Sequence, residues 1–195
     1  MERSDTDLML RIKSGDDQAF RELVDRHKLS VLNLCLRFVG NKQDAEDLAQ
    51  EAFIRVFQAA TSYEVKAAFT TWLYRITVNL CLNHQRHKKI LRFLSLDHAT
   101  TSHHSSQPRL PELPDSQRPD ADFEQKELQH IVQQAIQSLP ENQRTVLILY
   151  RYQDLSYKEI AEVLNTSVSA VESRLHRAKE NLRKKLKSLL EEPKR

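Results

Sequence analysis

Glycine is nearly missing from this chain: among 195 residues it occurs twice, as Gly15 and Gly40. Phosphate-cradling loops of nucleotide-binding folds need several neighbouring residues without a Cβ, so that class is excluded. Cysteine is as scarce, and Cys35 and Cys81 are too few for a disulfide framework. No apolar run approaches the ~18 residues of a membrane span. The opening Met1-Glu2-Arg3-Ser4-Asp5 has no apolar stretch behind a basic flank, so the expectation is a cytoplasmic protein without membrane insertion. Charge of one sign is not in excess either: 30 Lys and Arg stand against 27 Asp and Glu, a net of +3. A polyanion partner must therefore be argued from where the charges lie, not from how many there are.

What is present is helical periodicity. Residues 7–92 are rich in helix formers, with apolar residues three and four apart and no proline. Residues 93–122 change to Ser, Thr, His and Pro; Pro108, Pro111, Pro114 and Pro119 each remove a backbone donor and disfavour helix at the residue before. The composition predicts a flexible linker. Periodicity returns from 123 to 190, broken only at Pro140, which suits the start of a new helix. No period-two alternation persists, so the expected fold is all-α, with two small helical domains at 1–92 and 123–190. Charge follows the same division. Residues 75–92 sum to +5 with no acid, residues 168–195 also sum to +5, and residues 112–127 sum to −4. Two cationic lobes on an acidic strap suit a protein that grips one polyanion at two places, although either patch alone fits a solvated face equally well.

The C-terminal lobe holds a helix-turn-helix pattern. Ser156-Tyr157-Lys158-Glu159 reads as a capping box, followed by an apolar stripe at Ile160, Ala161 and Leu164. Asn165-Thr166-Ser167 forms a turn of capping residues, after which Val168, Val171, Leu175, Ala178 and Leu182 share one helix face. The other face carries Ser169, Ala170, Glu172, Ser173, Arg174, His176, Arg177 and Lys179. Short polar residues ahead of cations suit a helix laid in a major groove; the competing reading is an ordinary helical hairpin. Leu128, Ile131, Val132, Ala135, Ile136 and Leu139 supply a helix that packs behind the pair.

In the N-terminal lobe, Tyr63, Phe69, Trp72 and Tyr74 fall within twelve positions, directly before a basic stripe that includes Arg75, Arg86, Lys88 and Lys89. Aromatic planes beside cations could trap a splayed single strand, though Trp72 or Phe69 taken singly is better explained as core. Residues 44–58 form an amphipathic helix with Ala45, Leu48, Ala49, Ala52, Phe53, Val56 and Phe57 on the core face. The outward face offers Asp47, Gln50, Glu51, Ile54, Arg55 and Gln58. An apolar Ile54 among acids and amides points to a protein partner, against the plainer reading of a solvated face.

Four runs now combine: Asp44-Ala45-Glu46-Asp47-Leu48-Ala49-Gln50-Glu51-Ala52-Phe53-Ile54-Arg55, Phe69-Thr70-Thr71-Trp72-Leu73-Tyr74-Arg75-Ile76-Thr77-Val78-Asn79, Leu139-Pro140-Glu141, and Val171-Glu172-Ser173-Arg174-Leu175-His176-Arg177-Ala178. In this order they closely resemble the extracytoplasmic-function sigma factors of bacteria, over residues 7–92 and 123–187. The resemblance implies a region 2 helical bundle and a four-helix region 4 domain that bind core RNA polymerase and direct it to promoters. It implies that Asp47, Gln50, Glu51, Ile54 and Arg55 dock on the β′ clamp helices. The loop from Ser62 to Thr71 would hold a flipped base of the minus-10 strand, with Tyr63, Phe69, Trp72 and Tyr74 shaping the melting surface. Arg75, Asn79, Arg86, Lys88 and Lys89 would meet the upstream strand. Ser169, Ala170, Glu172, Ser173, Arg174, His176 and Arg177 would read the minus-35 element, while region 4 also engages the β flap. Family members commonly respond to stress under an anti-sigma factor, often membrane-tethered. Two departures stand out: Glu64-Val65-Lys66 where many relatives have a glycine, and the acid Glu172 where a base is frequent.

Two other classes compete. A stand-alone helix-turn-helix regulator accounts for the C-terminal half but leaves the 44–79 motifs unexplained. An enzyme would need a site, and the best metal set is Cys81, His84 and His87 with His98, His103 and His104 of the linker. Successive i+3 steps drift around a helix, and paired carboxylates such as Asp44 and Asp47 have no base nearby. No cofactor, metal or intrinsic catalysis is expected.

Overall fold

A computed structural model describes residues 4–65, 67–96, 128, 129 and 131–191, and all described secondary structure is helical. The chain divides into two compact units, residues 1–111 and 112–195. The linker expected over 93–122 lies almost wholly outside the described residues, except that its first four continue a helix to Leu96.

In the first unit α1 spans Asp5–Lys13, α2 Asp17–Val39, α3 Lys42–Ala59 and α4 Phe69–Leu96, with a 3-10 turn at Ala60–Ser62. The stretch read as one continuous helical block is therefore cut at residues 14–16, 40–41 and 60–68, and the first two cuts have a local cause. Ser4 and Asp7 form a capping box that opens α1, Asp16 caps α2 through the amides of Gln18 and Ala19, and Asn41 caps α3 through that of Asp44. The two glycines take the two turns that need left-handed backbone: Gly15 at φ +90° between α1 and α2, and Gly40 at φ +78° closing α2. Helices α2, α3 and α4 pack on one another around Leu23, Val31, Leu34, Phe38, Val56 and Leu73, all fully buried. On α3 the predicted stripe is inward except at its last member. Phe57 is 48% exposed and lies against Phe20, ring centroids 5.0 Å apart.

The second unit contains a helix at residues 131–137 (α5), then α6 (Glu141–Tyr152), α7 (Tyr157–Leu164) and α8 (Val168–Glu191). Pro140 stands immediately before α6, where its missing N–H costs nothing. Ala135, Ile136 and Leu139 bury against this core with Ile148, Leu149, Ile160, Leu175 and Ala178. Several expected core residues lie further out: Leu128 and Val168 are exposed, and Ile131, Val132 and Leu182 are only half-buried. On α7, Val163 rather than Leu164 completes the buried stripe. Arg144 is buried in this unit, its Nη1 donating to both the backbone and the side-chain oxygen of Gln137 at 3.1 Å. Among the described residues no helix is long and apolar enough to cross a membrane.

Candidate nucleic-acid and protein interfaces

The first candidate surface is built on α3. Its buried face fixes its rotation, so Asp47, Gln50, Ile54 and Arg55 face solvent while Glu51 is partly covered. Ile54 is 42% exposed, and Arg55 Nε donates to Glu51 at 2.8 Å across one helical turn. Beside these residues α2 and α3 leave an apolar groove of about 480 Å³, lined by Phe20, Val24, Leu32, Ala49, Phe53 and Ile54 with Lys28, Glu46 and Gln50. The groove makes Ile54 part of a continuous apolar surface instead of an isolated side chain. The residues from α2 were missed in the sequence; Phe20, Val24, Lys28 and Leu32 at steps of four were the available signal.

The aromatic cluster is arranged differently from the stacking platform expected. Tyr63, Phe69 and Tyr74 are 6%, 3% and 7% exposed, so these three rings are core. Tyr74 shares a 2.8 Å hydrogen bond with Ser30 of α2, and Phe69 lies 5.3 Å from the His27 ring. Trp72 alone is partly accessible, resting against Tyr63 at 5.2 Å and Phe69 at 6.0 Å. The buried rings therefore hold Trp72 in place and are not themselves open to a base. Lys13 Nζ reaches the Tyr63 carbonyl at 3.4 Å from α1. The cations and Asn79 that follow are exposed along α4, as expected for Arg75, Arg86, Lys88 and Lys89.

Lys88, however, is engaged. It forms an ion pair with Asp44 in the first turn of α3, which also lies 3.2 Å from His84 Nε2 and accepts from Asn41. Burial pushes the Asp44 carboxyl up, but Lys88 and Asn41, which bond it, and the nearby His84 ring outweigh it and hold the group at about 2. Cys81 turns the other way, into the core beside Cys35, whose hydrogen bond together with burial pushes its thiol up. Cys81, His84 and His87 are thus not gathered at one point: one thiol is buried, one imidazole faces a carboxylate and one is exposed. His98, His103 and His104 lie outside the described residues.

In the second unit the hairpin has the geometry its sequence requires. Ser156 Oγ accepts from the Glu159 amide while Glu159 accepts from the Ser156 amide at 2.8 Å, closing the capping box. Asn165 ends α7 with φ +47°, and Ser167 Oγ accepts from the Ala170 amide at 3.2 Å to start α8. Val171, Leu175 and Ala178 are buried, which turns Ser169, Glu172, Ser173, His176 and Arg177 outward; Ala170 and Arg174 are intermediate. His176 lies 3.6 Å from Glu180 one turn on, and Lys179 sits 5.1 Å over the Tyr150 ring.

A family model described as Sigma-70 region 2 matches residues 23–90, and one described as Sigma-70, region 4 matches residues 129–182. The chain is 39% identical over 179 residues to the ECF RNA polymerase sigma factor SigW of Bacillus subtilis, covering 92% of this chain and 95% of that one. It is 36% identical over 202 residues to the RNA polymerase sigma-H factor of Pseudomonas aeruginosa, covering 98% of each. A solved structure of the sigma factor RpoE with the anti-sigma factor NepR from Bartonella quintana has the same fold, with a TM-score of 0.63, 20% identity, and coverage of 86% and 96%.

Proposed function

The chain belongs to the extracytoplasmic-function sigma factors, and on that premise we propose how its surfaces divide the work of initiation. It is a sigma factor: it binds core RNA polymerase and directs promoter-specific transcription initiation. Its first unit acts as the region 2 domain and its second as the region 4 domain, with residues between α4 and α5 as the linker. Ile54 anchors α3 and the adjoining groove on the β′ clamp helices, and Asp47, Gln50, Glu51 and Arg55 form the polar rim. The single observation that carries this reading is the continuity of exposed Ile54 with the groove between α2 and α3.

Trp72, Asn79 and the exposed cations of α4 engage the minus-10 strand, while the outward face of α8 engages the minus-35 duplex and the rest of region 4 the β flap. An anti-sigma factor, membrane-tethered or soluble, that covers the α3 face would hold the protein inactive; RpoE of Bartonella quintana forms a complex with such a factor, NepR. The protein has no catalytic role of its own, and it works in the cytoplasm where polymerase and promoter are.

Run-off transcription with purified core polymerase tests the assignment of the α3 face. Ile54→Asp places a charge on the apolar anchor, so holoenzyme formation is expected to fall at least tenfold while helix content and thermal midpoint stay near wild type. Unchanged affinity for core would remove α3 from the interface.

A further inference from the structure

The junction of α3 and α4 holds a cluster that neither helical periodicity nor the family motifs assign. Asp44 stands in the first turn of α3, where its amide bonds Asn41 Oδ1 at 2.8 Å and its Oδ2 accepts from Asn41 Nδ2. The helix start therefore fixes the carboxylate, whose side chain is only 21% exposed. Across the junction it takes Lys88, which is 47% exposed, and faces His84 one turn earlier on α4. Three partners from two elements make this more ordered than an ordinary surface pair, which is usually worth little. A lysine paired this way meets a phosphate with its charge already offset by the carboxylate, so the contact returns less than one from a solvated lysine.

We propose that Asp44 is a positioning residue that withholds Lys88 from DNA, so the α4 surface neutralises fewer phosphates than its cations imply. The inference rests on the reading that α4 meets the promoter strand. Asp44 also stands in the first turn of the helix that carries Asp47, Gln50 and Ile54. One carboxylate thus ties the polymerase-facing helix to the DNA-facing one, and any phosphate that drew Lys88 away would loosen that tie.

The test is the salt dependence of binding to a mixed-sequence single-stranded DNA oligonucleotide, measured with the full chain by fluorescence anisotropy. Each phosphate neutralised adds about 0.7 to the slope of log K against log salt. Asp44→Asn is expected to tighten binding at low salt and to add about one such increment, an extra two- to threefold loss of affinity between about 50 and 200 mM salt. Lys88→Ala placed in the Asp44→Asn background should cancel both changes. A slope equal to wild type in Asp44→Asn, or a gain that survives Lys88→Ala, overturns the proposal, and circular dichroism melts show that each variant is folded. Lys89→Ala separates the two levels of the argument. If it flattens the slope while Asp44→Asn changes nothing, only the withholding role fails; if it has no effect, the DNA-facing assignment of α4 fails with it.

Discussion

Asp44 shows how one side chain can carry both stability and function. Its carboxyl is held at about 2 in the folded chain, against an ordinary value of 3.8. A depressed carboxyl contributes stability that is fully present above the unfolded value and is lost as pH falls through the folded one, so the window is pH 4 down to about 2. Lys88 is half in water, which reduces the contribution to the order of 1 kcal/mol. Asp44→Asn is accordingly expected to lower the unfolding free energy by about that amount at neutral pH. The difference from wild type should vanish as denaturant titrations approach pH 2, and a gap constant across that range would place the effect elsewhere. Nothing in a linear reading revealed this pair, because residues 44 positions apart meet only once two helices are packed. The aromatic cluster failed for another reason. Phe69, Leu73, Thr77, Leu80 and Cys81 lie at steps of about four on α4 and are all buried, so the stripe was present in the sequence. The neighbouring cations drew attention to a surface role for rings that the helix turns inward.

At the scale of elements, the Ser156 cap was legible because its chemistry is local, whereas the equally local caps at Ser4, Asp16 and Asn41 went unread and left residues 7–92 as one helical block. Ser4, Asp16, Asn41 and Ser156 each open a helix through an oxygen accepting a free amide, and only the Ser156 box needed to be right for the hairpin to be seen. Less legible were helix ends. The stripe rule assumes a neighbour along the whole helix, but at Val168 the preceding chain is only the Asn165–Ser167 turn, and the side chain stays exposed. The box also leads to a prediction about function. α7 is eight residues long, too short to persist without its cap and its packing. Ser156→Ala should destabilise the second unit by about 1 kcal/mol in chemical denaturation. Because α7 buttresses α8, duplex binding should weaken in step with stability, while single-stranded DNA binding, assigned to the first unit, should not change. Loss of single-strand binding in the same variant would mean that the two units do not divide the DNA as proposed.

The whole molecule poses the question of what joins two units whose basic faces were visible in the charge pattern from the outset. Residues 112–127 sum to −4, so the connecting chain is repelled by the same phosphates that attract its ends. Its Pro, Ser and His composition predicts a tether in place of a third lobe, and a tether acts by effective concentration without adding any contact. Once one unit has bound, the local concentration of the other falls with roughly the −3/2 power of the connecting length. About 30 extra Gly and Ser residues inserted between residues 105 and 106 would roughly double that length. The full chain should then bind a fork-junction promoter, with a duplex minus-35 and a single-stranded minus-10 segment, about threefold more weakly. The salt slope should stay as it was, because no cation has been added or removed. An altered slope would mean that the connecting chain itself touches DNA. Unchanged affinity would mean that the two grips are not coupled through it, and that polymerase alone brings them onto one promoter.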